Sequence, residues 1–245
     1  MRRAPIFATL TAAAWAAVSI ALSMAASGCT GDLDPPWQLD HDRIIAVRAT
    51  PPGIAAGDKS TIDALLGAKG GPTRVAAPEA AIVAAPTSLS DVLAFDGTNW
   101  VVTAPSEERL AQARTELALA ADAPVPLRVG VSYAGQSLVA TKVIFLGQPA
   151  SNPSLVSMNM KIDGAPAGSA EIVVEPLAKV PLSIDADDAD FDVTWLTSCG
   201  TMHDFDLPNA YLQVEEDDPT SGELAVVVRD AGSGVSWNIW PIHAE

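Results

Sequence analysis

Apolar and polar residues alternate with a period of two over much of the chain after residue 43. In VPLRVGVSY, at residues 125–133, every second residue is apolar and can face a core. The same alternation at residues 43–49, 58–66 and 137–146 favours β-strands over helices. Two further short runs flank Asp96-Gly97, which suits a hairpin because both residues tolerate a positive φ. The first half of the chain is therefore predicted to consist mainly of strands.

One segment of this half has a helical pattern instead. Ser106 can cap a helix, and the two Glu residues that follow it suit the positive end of the helix dipole. Apolar residues then recur at spacings of three and four, at Leu110, Ala113 and Leu117. We therefore predict one α-helix over about residues 106–119.

The second half follows a run of turn-forming residues, QPASNP at 148–153, which is the candidate domain boundary. Beyond it the pattern predicts seven short strands separated by Gly, Pro, Asn and Asp, at residues 155–162, 171–174, 180–184, 191–197, 210–214, 223–229 and 235–242. Seven short strands with turn signals between them are typical of a β-sandwich. We predict two domains, at residues 44–147 and 148–245.

Three segments of the second half resemble bacterial immunoglobulin-like domains of the PKD or cadherin-like kind. They are the acidic turn of LSIDADD at 182–188, the strand with VTW at 193–195, and GELAVVVRD at 222–230 with the Gly residues after it. Residues 49–63 resemble the first two strands of such a domain less closely. The resemblance implies an all-β fold class with two immunoglobulin-like β-sandwich domains, the first carrying the inserted helix.

The composition indicates a globular protein that does not bind nucleic acid. Of the 245 residues, 49% are hydrophobic, which is enough to bury a core, and 14 Lys and Arg stand against 30 Asp and Glu, a net charge of −16. A surface this negative repels phosphate groups, which excludes nucleic acid as a partner. Any contact with an anionic membrane must also rest on something other than charge.

The N-terminus carries a candidate membrane anchor. Residues 6–27 follow a basic start, are rich in Ala and contain no charged residue, as in a removable export signal. The run is also long enough for an uncleaved transmembrane helix. The end of this run and the two residues after it, Ala26-Ser27-Gly28-Cys29, resemble the lipobox of bacterial lipoproteins. This resemblance implies a lipoprotein signal peptide at 1–28 and a lipidated Cys29, and Thr30 in place of Asp points to the outer membrane.

Residues 29–43 are predicted to form a flexible tether behind the lipid. They are acidic, contain a Pro-Pro pair and have neither helical nor strand periodicity. Acyl chains hold a protein to a bilayer by burying methylene groups, so this anchor needs no positive surface. As a whole, the chain resembles two-domain lipoproteins of bacterial envelopes.

The two cysteines of the chain have separate predicted roles. If Cys29 carries lipid, Cys199 has no intrachain partner, and we expect it to be a buried thiol that packs as a small apolar side chain. A plain secretory signal would instead leave Cys29 available for a disulfide with Cys199. His203 lies near Cys199, but one Cys and one His supply only two of the four ligands of a closed zinc site. We predict a structural loop at residues 199–204 and no metal.

The densest acidic cluster consists of Asp185, Asp187, Asp188, Asp190 and Asp192. From Asp188 onward the spacing begins like an EF-hand, but Val193 stands where that loop needs Gly and Cys199 where it needs Glu. We predict solvated turns here and at EEDD, residues 215–218. Cadherin-like domains bind calcium differently, between adjacent domains, so a calcium site in this cluster stays open.

The chain contains no motif for nucleophilic, phosphate-binding or dinucleotide chemistry, so we predict no catalytic residue and no cofactor. Trp237 and Trp240 lie three positions apart on a predicted strand and face opposite ways. Either one belongs to the core and the other is an exposed contact residue, or loops cover both.

We expect a lipid-anchored, non-enzymatic envelope lipoprotein that presents β-sandwich domains for binding or structural support. Its partner besides the membrane would be an envelope protein or a glycan. The alternatives are a calcium-dependent, cadherin-like adhesion module and a glycan-acting enzyme that uses paired carboxylates.

Overall fold

The computed structural model describes residues 35–135, 137–168, 171–186 and 191–245. The stretch Trp37–Glu245 forms one compact unit. The predicted signal peptide, Cys29 and the first part of the predicted tether lie outside the described residues. Strands dominate and the described part of the chain contains one α-helix, so the predicted all-β fold class is confirmed. Among the described residues, no helix is both long and apolar enough to cross a bilayer.

The first half folds into two sheets that face each other. Its strands are β1 (Arg43–Thr50), β2 (Gly53–Ile54), β3 (Lys59–Ala68), β4 (Gly71–Ala76), β5 (Ala80–Ala85), β6 (Leu93–Phe95), β7 (Trp100–Thr103), β8 (Val125–Tyr133) and β9 (Leu138–Leu146). One sheet has the order β1-β3-β7-β6, with β4 paired to β3, and the other has the order β2-β9-β8-β5. The first strand is thus split between the sheets, and β2 runs parallel to β9. This is the strand order of an immunoglobulin-like sandwich.

The second half repeats this plan. Its strands are β10 (Lys161–Ile162), β11 (Ala165–Pro166), β12 (Ile172–Val174), β13 (Lys179–Ser183), β14 (Phe191–Thr197), β15 (Thr201–His203), β16 (Asn209–Gln213), β17 (Ser221–Asp230) and β18 (Val235–Ala244). The sheet orders are β11-β10-β13-β16-β15 and β12-β18-β17-β14. Strand β12 runs parallel to β18, as β2 does to β9. The chain therefore contains two immunoglobulin-like sandwiches in sequence.

Each sandwich has its own core. In the first, the inward residues of β8 are buried as predicted, and α1 (Glu107–Glu116) closes the core with the fully buried Leu110 and Ala113. Ser106 stands at the N-cap of α1, but its side chain makes no capping hydrogen bond. In the second, Trp195 and Trp240 are fully buried, and their indole N–H groups donate to backbone carbonyls. Both tryptophans thus meet the requirement that a buried polar group be paired.

The strand prediction differs from the structure in several places, and the two-residue strands β2 and β11 were not predicted. Residues 155–159 form turns, and only Lys161–Ile162 of the predicted strand at 155–162 is extended. Strands β4 and β5 were not predicted, because residues 71–85 are rich in small residues and lack clear alternation. The predicted loop at 199–204 contains β15, which pairs with β16 and buries Met202 in the second core.

Strand β17 is buried on both of its faces. Leu224, Val226 and Val228 point into the core of the second sandwich. The residues between them, Ala225 and Val227, are also fully buried, in a third apolar cluster that includes residues of the first sandwich. The unbroken apolar run in this strand is explained by these two covered faces. We call the contact between the sandwiches the joint.

Candidate functional site

The joint is an apolar contact between the outer faces of two sheets. Ala46 and Leu65 of the first sandwich pack in one cluster with Leu196, Ala225 and Val227 of the second, and all five are buried. Because this cluster is continuous across both halves, the two sandwiches bury part of their apolar surface against each other. The joint therefore fixes the relative position of the residues that line it.

Trp237 lies at the edge of this contact. It is half-buried, and the guanidinium of Arg48 sits 3.9 Å from the centre of its ring. Arg48 in turn makes an ion pair with Asp63 at 2.6 Å. Trp240 belongs to the second core, whereas Trp237 is covered by the other sandwich through a cation–π contact. Neither sequence-based alternative for this pair of tryptophans was fully correct.

Hydrogen bonds between the sandwiches accompany the apolar contact. The side chain of Asn152 donates to the carbonyl of Ala49 and accepts from the N–H of Val235. Thr73 donates its N–H and its hydroxyl to the Glu223 carboxylate, at 2.8 and 2.9 Å. Asn152 lies in the candidate boundary at residues 148–153, so this segment is bonded into the joint.

The predicted flexible tether is wrong from Trp37 onward. The N–H of Leu39 donates to the carbonyl of Thr197, and the N–H of Thr197 donates to the carbonyl of Trp37. The side chain of Leu39 is buried in the apolar cluster of the joint. The carboxylates of Asp40 and Asp42 accept backbone N–H groups from the β3–β4 turn of the first sandwich. Residues 37–42 therefore strap the two sandwiches together, and we call them the strap.

A cleft of about 430 Å³ opens at one side of the joint. Its walls are β1, β9 and the turn between β17 and β18, with Ile44, Val139 and Val235 among the apolar lining residues. The charged lining residues are Lys142, Arg229 and Asp230. We call this space the joint cleft. Clefts of this size, at the meeting point of two domains and with a few convergent polar groups, are common ligand sites.

Lys142 occupies an unusual position in the joint cleft. It pairs with Val129 in the β8–β9 register, on the side of β9 that faces the first core, and only 4% of its surface is exposed. Its ammonium group reaches the second sandwich and donates to the carbonyl of Ser233. Lys142 was not among the site residues predicted from the sequence, although the alternation along β9 places it in phase with the buried Ile144 and Leu146.

The electrostatics of the joint cleft follow from this burial. Desolvation lowers the pKa of Lys142 to about 8, with the nearby Arg229 also lowering it and the carboxylates of Asp230 and Asp63 opposing the change. Burial likewise lowers the pKa of Arg229, against the opposing effect of Asp192. Perturbed pKa values in a cleft are characteristic of functional sites. The lining carries two cations and one anion, in a chain whose net charge is −16.

Cys199 has the predicted structural environment. The residue is fully buried, its thiol donates to the carbonyl of Pro219, and burial raises its pKa. His203 stacks on the ring of Tyr211 at 4.3 Å. No group of three or more potential metal-ligating side chains occurs in the described residues.

The acidic cluster is only partly described. Asp187, Asp188 and Asp190 lie outside the described residues. Asp185 accepts a hydrogen bond from Asn159 at 2.9 Å, and Asp192 lies 4.0 Å from Arg229. At residues 215–218 the chain forms the predicted exposed turn, in which Asp218 accepts the N–H of Glu215. The predicted lipidation site, Cys29, also lies outside the described residues.

No protein-family model and no curated protein sequence matches the chain. Among solved structures, the chain is similar to murine CEACAM1b, with 12% identity, a TM-score of 0.26, and coverage of 82% of this chain and 100% of that one. It is also similar to the two tandem V-type regions of VCBP3, a v-region-containing chitin binding protein, with 9% identity, a TM-score of 0.33, and coverage of 82% and 99%.

A third match is a nucleoside hydrolase-related hypothetical protein from Saccharophagus degradans, with 14% identity and a TM-score of 0.30. That match covers 39% of this chain and 26% of the other, so the chain spans about a quarter of that protein's length. At these identities and TM-scores the likenesses carry no argument about this chain. A fold of immunoglobulin-like sandwiches is compatible with a binding or structural module and assigns no ligand.

Proposed function

We propose that the protein is a lipid-anchored, non-enzymatic binding module of the bacterial cell envelope, located in the outer membrane. The observation that carries the binding role is the joint cleft, where a buried cation from one sandwich meets a turn of the other. This site requires both sandwiches, since Lys142 belongs to the first and Ser233 to the second. The strap and the apolar joint support it by holding the two halves together.

The anchor half of the proposal rests on the lipobox-like Ala26-Ser27-Gly28-Cys29. Cleavage before Cys29 would remove two Arg residues and no acid, which leaves 12 Lys and Arg against 30 Asp and Glu, a net charge of −18. Such a chain is repelled by anionic lipids, so its attachment would depend on the burial of acyl methylene groups.

The segment between the proposed anchor and the strap is short in sequence. Eight residue steps lead from Cys29 to Trp37, where the strap begins, and a fully extended chain covers about 28 Å over eight steps. The sandwiches would therefore stay close to the bilayer, and the joint cleft would serve ligands or partners near the membrane.

A glycan-acting enzyme would need carboxylates in a cleft. A second groove, of about 480 Å³, is lined in part by Asp40, Glu171 and Glu223. Two of these carboxylates already accept backbone N–H groups, Asp40 from Gly70 and Glu223 from Thr73. These bonds hold the strap and the joint, which favours a structural role for the groove. Release of products from envelope glycans by the purified protein, lost in Glu171→Gln, would instead support the enzyme.

The anchor is tested by metabolic labelling with a fatty-acid probe. We expect the wild-type chain to incorporate the label and to fractionate with membranes, and Cys29→Ser to lose the label and become soluble. Cys199→Ser is the matched control, and it should keep both the label and the membrane fraction. Membrane retention of Cys29→Ser would show that an uncleaved N-terminal helix holds the protein.

A further inference from the structure

The ammonium group of Lys142 is buried with fewer acceptors than it can use. An ammonium carries three N–H donors, and within the described residues the Nζ of Lys142 donates to one acceptor, the carbonyl of Ser233. A buried charge with unfilled hydrogen bonds carries a desolvation cost that a further acceptor would reduce. The joint cleft thus contains a donor that is positioned for a ligand.

The other charged groups around the joint cleft are already engaged. Asp230 accepts the N–H of Gly234 at 2.7 Å within the β17–β18 turn. Arg229 donates to the carbonyl of Ile45 at 3.0 Å and to the hydroxyl of Thr194 at 3.1 Å. Lys142 is the almost fully buried cation of this lining, with one of its three donors used, and the more exposed Arg229 adds to the positive potential beside it.

The lining also indicates the class of ligand. The lining residues themselves carry two cations and one anion, and the carboxylates of Asp63 and Asp192 also act on these cations, so the site favours a ligand group with a single negative charge. A dianionic phosphate would add a second negative charge near Asp230, which raises its electrostatic cost. Ile44, Val139 and Val235 supply an apolar wall that a small inorganic anion would leave exposed to water.

We propose that the joint cleft binds a small organic carboxylate, whose carboxylate group accepts from Nζ of Lys142 and whose apolar part packs against β1, β9 and the β17–β18 turn. This inference rests on the binding role stated above and does not depend on the lipid anchor. The ligand would touch both sandwiches, so its binding would stabilise the joint by mass action.

The test uses three probes of equal chain length, hexanoate, hexanol and hexylamine, titrated into the full-length protein in one detergent buffer. Binding is followed by NMR of the Lys side-chain ¹⁵N signals. At pH 7 we expect saturable binding of hexanoate, with a shift of the Lys142 signal, and weaker binding of the other two probes. Lys142→Met should abolish this saturable binding, whereas the exposed Lys59→Met should keep it.

The pH dependence supplies a second readout. The charged groups that face Lys142 are Asp230, Asp63 and Arg229. Because the pKa of Lys142 is about 8, its charged fraction falls steeply above that pH, and hexanoate should bind about thirtyfold more weakly at pH 9.5 than at pH 7. A site that recognises only the apolar chain would show no such change.

Three results would overturn the proposal: no saturable binding of hexanoate, equal binding of hexanol, or unchanged binding by Lys142→Met. The anchor is judged separately, by the fatty-acid label on Cys29. If Cys29→Ser loses the fatty-acid label but the wild-type protein does not bind hexanoate, the anchor is supported and the ligand class is refuted. A protein that binds hexanoate without any lipid label would do the reverse.

Discussion

Lys142 should destabilise the folded protein at neutral pH, and its replacement by Met should remove that cost. Its pKa is about 8 in the folded state against 10.5 for an ordinary Lys. At about 1.4 kcal/mol for each tenfold change in proton affinity, this difference corresponds to about 3 kcal/mol in the free energy of unfolding. Met has a similar length and no charge, so it can fill the same space.

The sign of the pH effect follows from proton binding. Between pH 8 and 10.5 the unfolded chain keeps the proton on Lys142 while the folded protein loses it. Stability rises with pH wherever the unfolded state binds more protons. The contribution of Lys142 to the free energy of unfolding should therefore become more favourable by about 3 kcal/mol across this window, and Lys142→Met should lack this rise.

At pH 7 the net effect of Lys142→Met is smaller. The variant loses the hydrogen bond to the carbonyl of the half-buried Ser233, and a carbonyl that loses its partner in this way costs about 1–3 kcal/mol. We therefore expect the variant to be between about 0 and 2 kcal/mol more stable than the wild type at pH 7. If Lys142→Met is as stable as the wild type but binds no hexanoate, the loss of binding comes from the missing ammonium group and not from unfolding.

The assay is urea unfolding of the wild type, Lys142→Met and the control Lys59→Met at several pH values from 7 to 10.5. Burial raises the pKa values of Tyr133 and Cys199, but both residues are present in all three proteins and cancel in the differences. Parallel stability curves for the wild type and Lys142→Met, with a difference that is constant over the whole range, would refute the buried ammonium.

Four further predictions concern the strap, one turn, the thiol and calcium. Leu39→Ala should cost about 2–5 kcal/mol in urea unfolding because Leu39 is buried in the joint, while the half-exposed Leu207→Ala should change stability by less than about 0.5 kcal/mol; equal effects would contradict a packed strap. Gly200→Ala should cost about 2 kcal/mol or more by the same measurement, since Gly200 has φ +86° and an added Cβ would lie 2.5 Å from the carbonyl oxygen of Gln213. Gly57→Ala, with φ +84° and open space around it, should cost about 1 kcal/mol. Cys199 should react with a thiol reagent at pH 8 only after unfolding, as followed by mass spectrometry, because it is buried and its pKa is raised; rapid labelling of the folded protein would disprove the buried thiol. Thermal melts with millimolar calcium and with a chelator should overlay, and a midpoint higher by several degrees in calcium would favour the cadherin-like alternative.

The alternation of apolar residues in the sequence was sufficient for strands with one core face. The strand at residues 125–133 was predicted with the bounds that the structure shows, because its inward residues face a single core at every second position. The strand at residues 191–197 also has the predicted bounds, although its Leu196 is buried on the opposite face, in the joint. The helix was predicted one residue too long at its N-terminus and three residues too long at its C-terminus, and helix boundaries are the least certain part of such a prediction. Seven short strands with turn signals between them predicted the second sandwich, and the resemblance to immunoglobulin-like domains extended this prediction to the first half.

The joint could not be predicted in this way. Ala225 and Val227 lie on the outer face of the second sandwich, and a period of two does not show whether an outer face meets water or another sandwich. The strap has no hydrophobic periodicity, yet it is packed because the side chain of Leu39 is buried in the joint between the two sandwiches. Local composition suggested a flexible tether, and contacts with distant residues decided otherwise.

The joint cleft depends on the tertiary structure most of all. The sequence determined that Lys142 shares the inward face of β9 with Ile144, a position at which a charge is costly. Only the packing of the two sandwiches brings the carbonyl of Ser233, 91 positions later, within reach of its ammonium group. The free energy of burying a charge depends on the groups that surround it in space, and in this protein those groups come from distant parts of the chain.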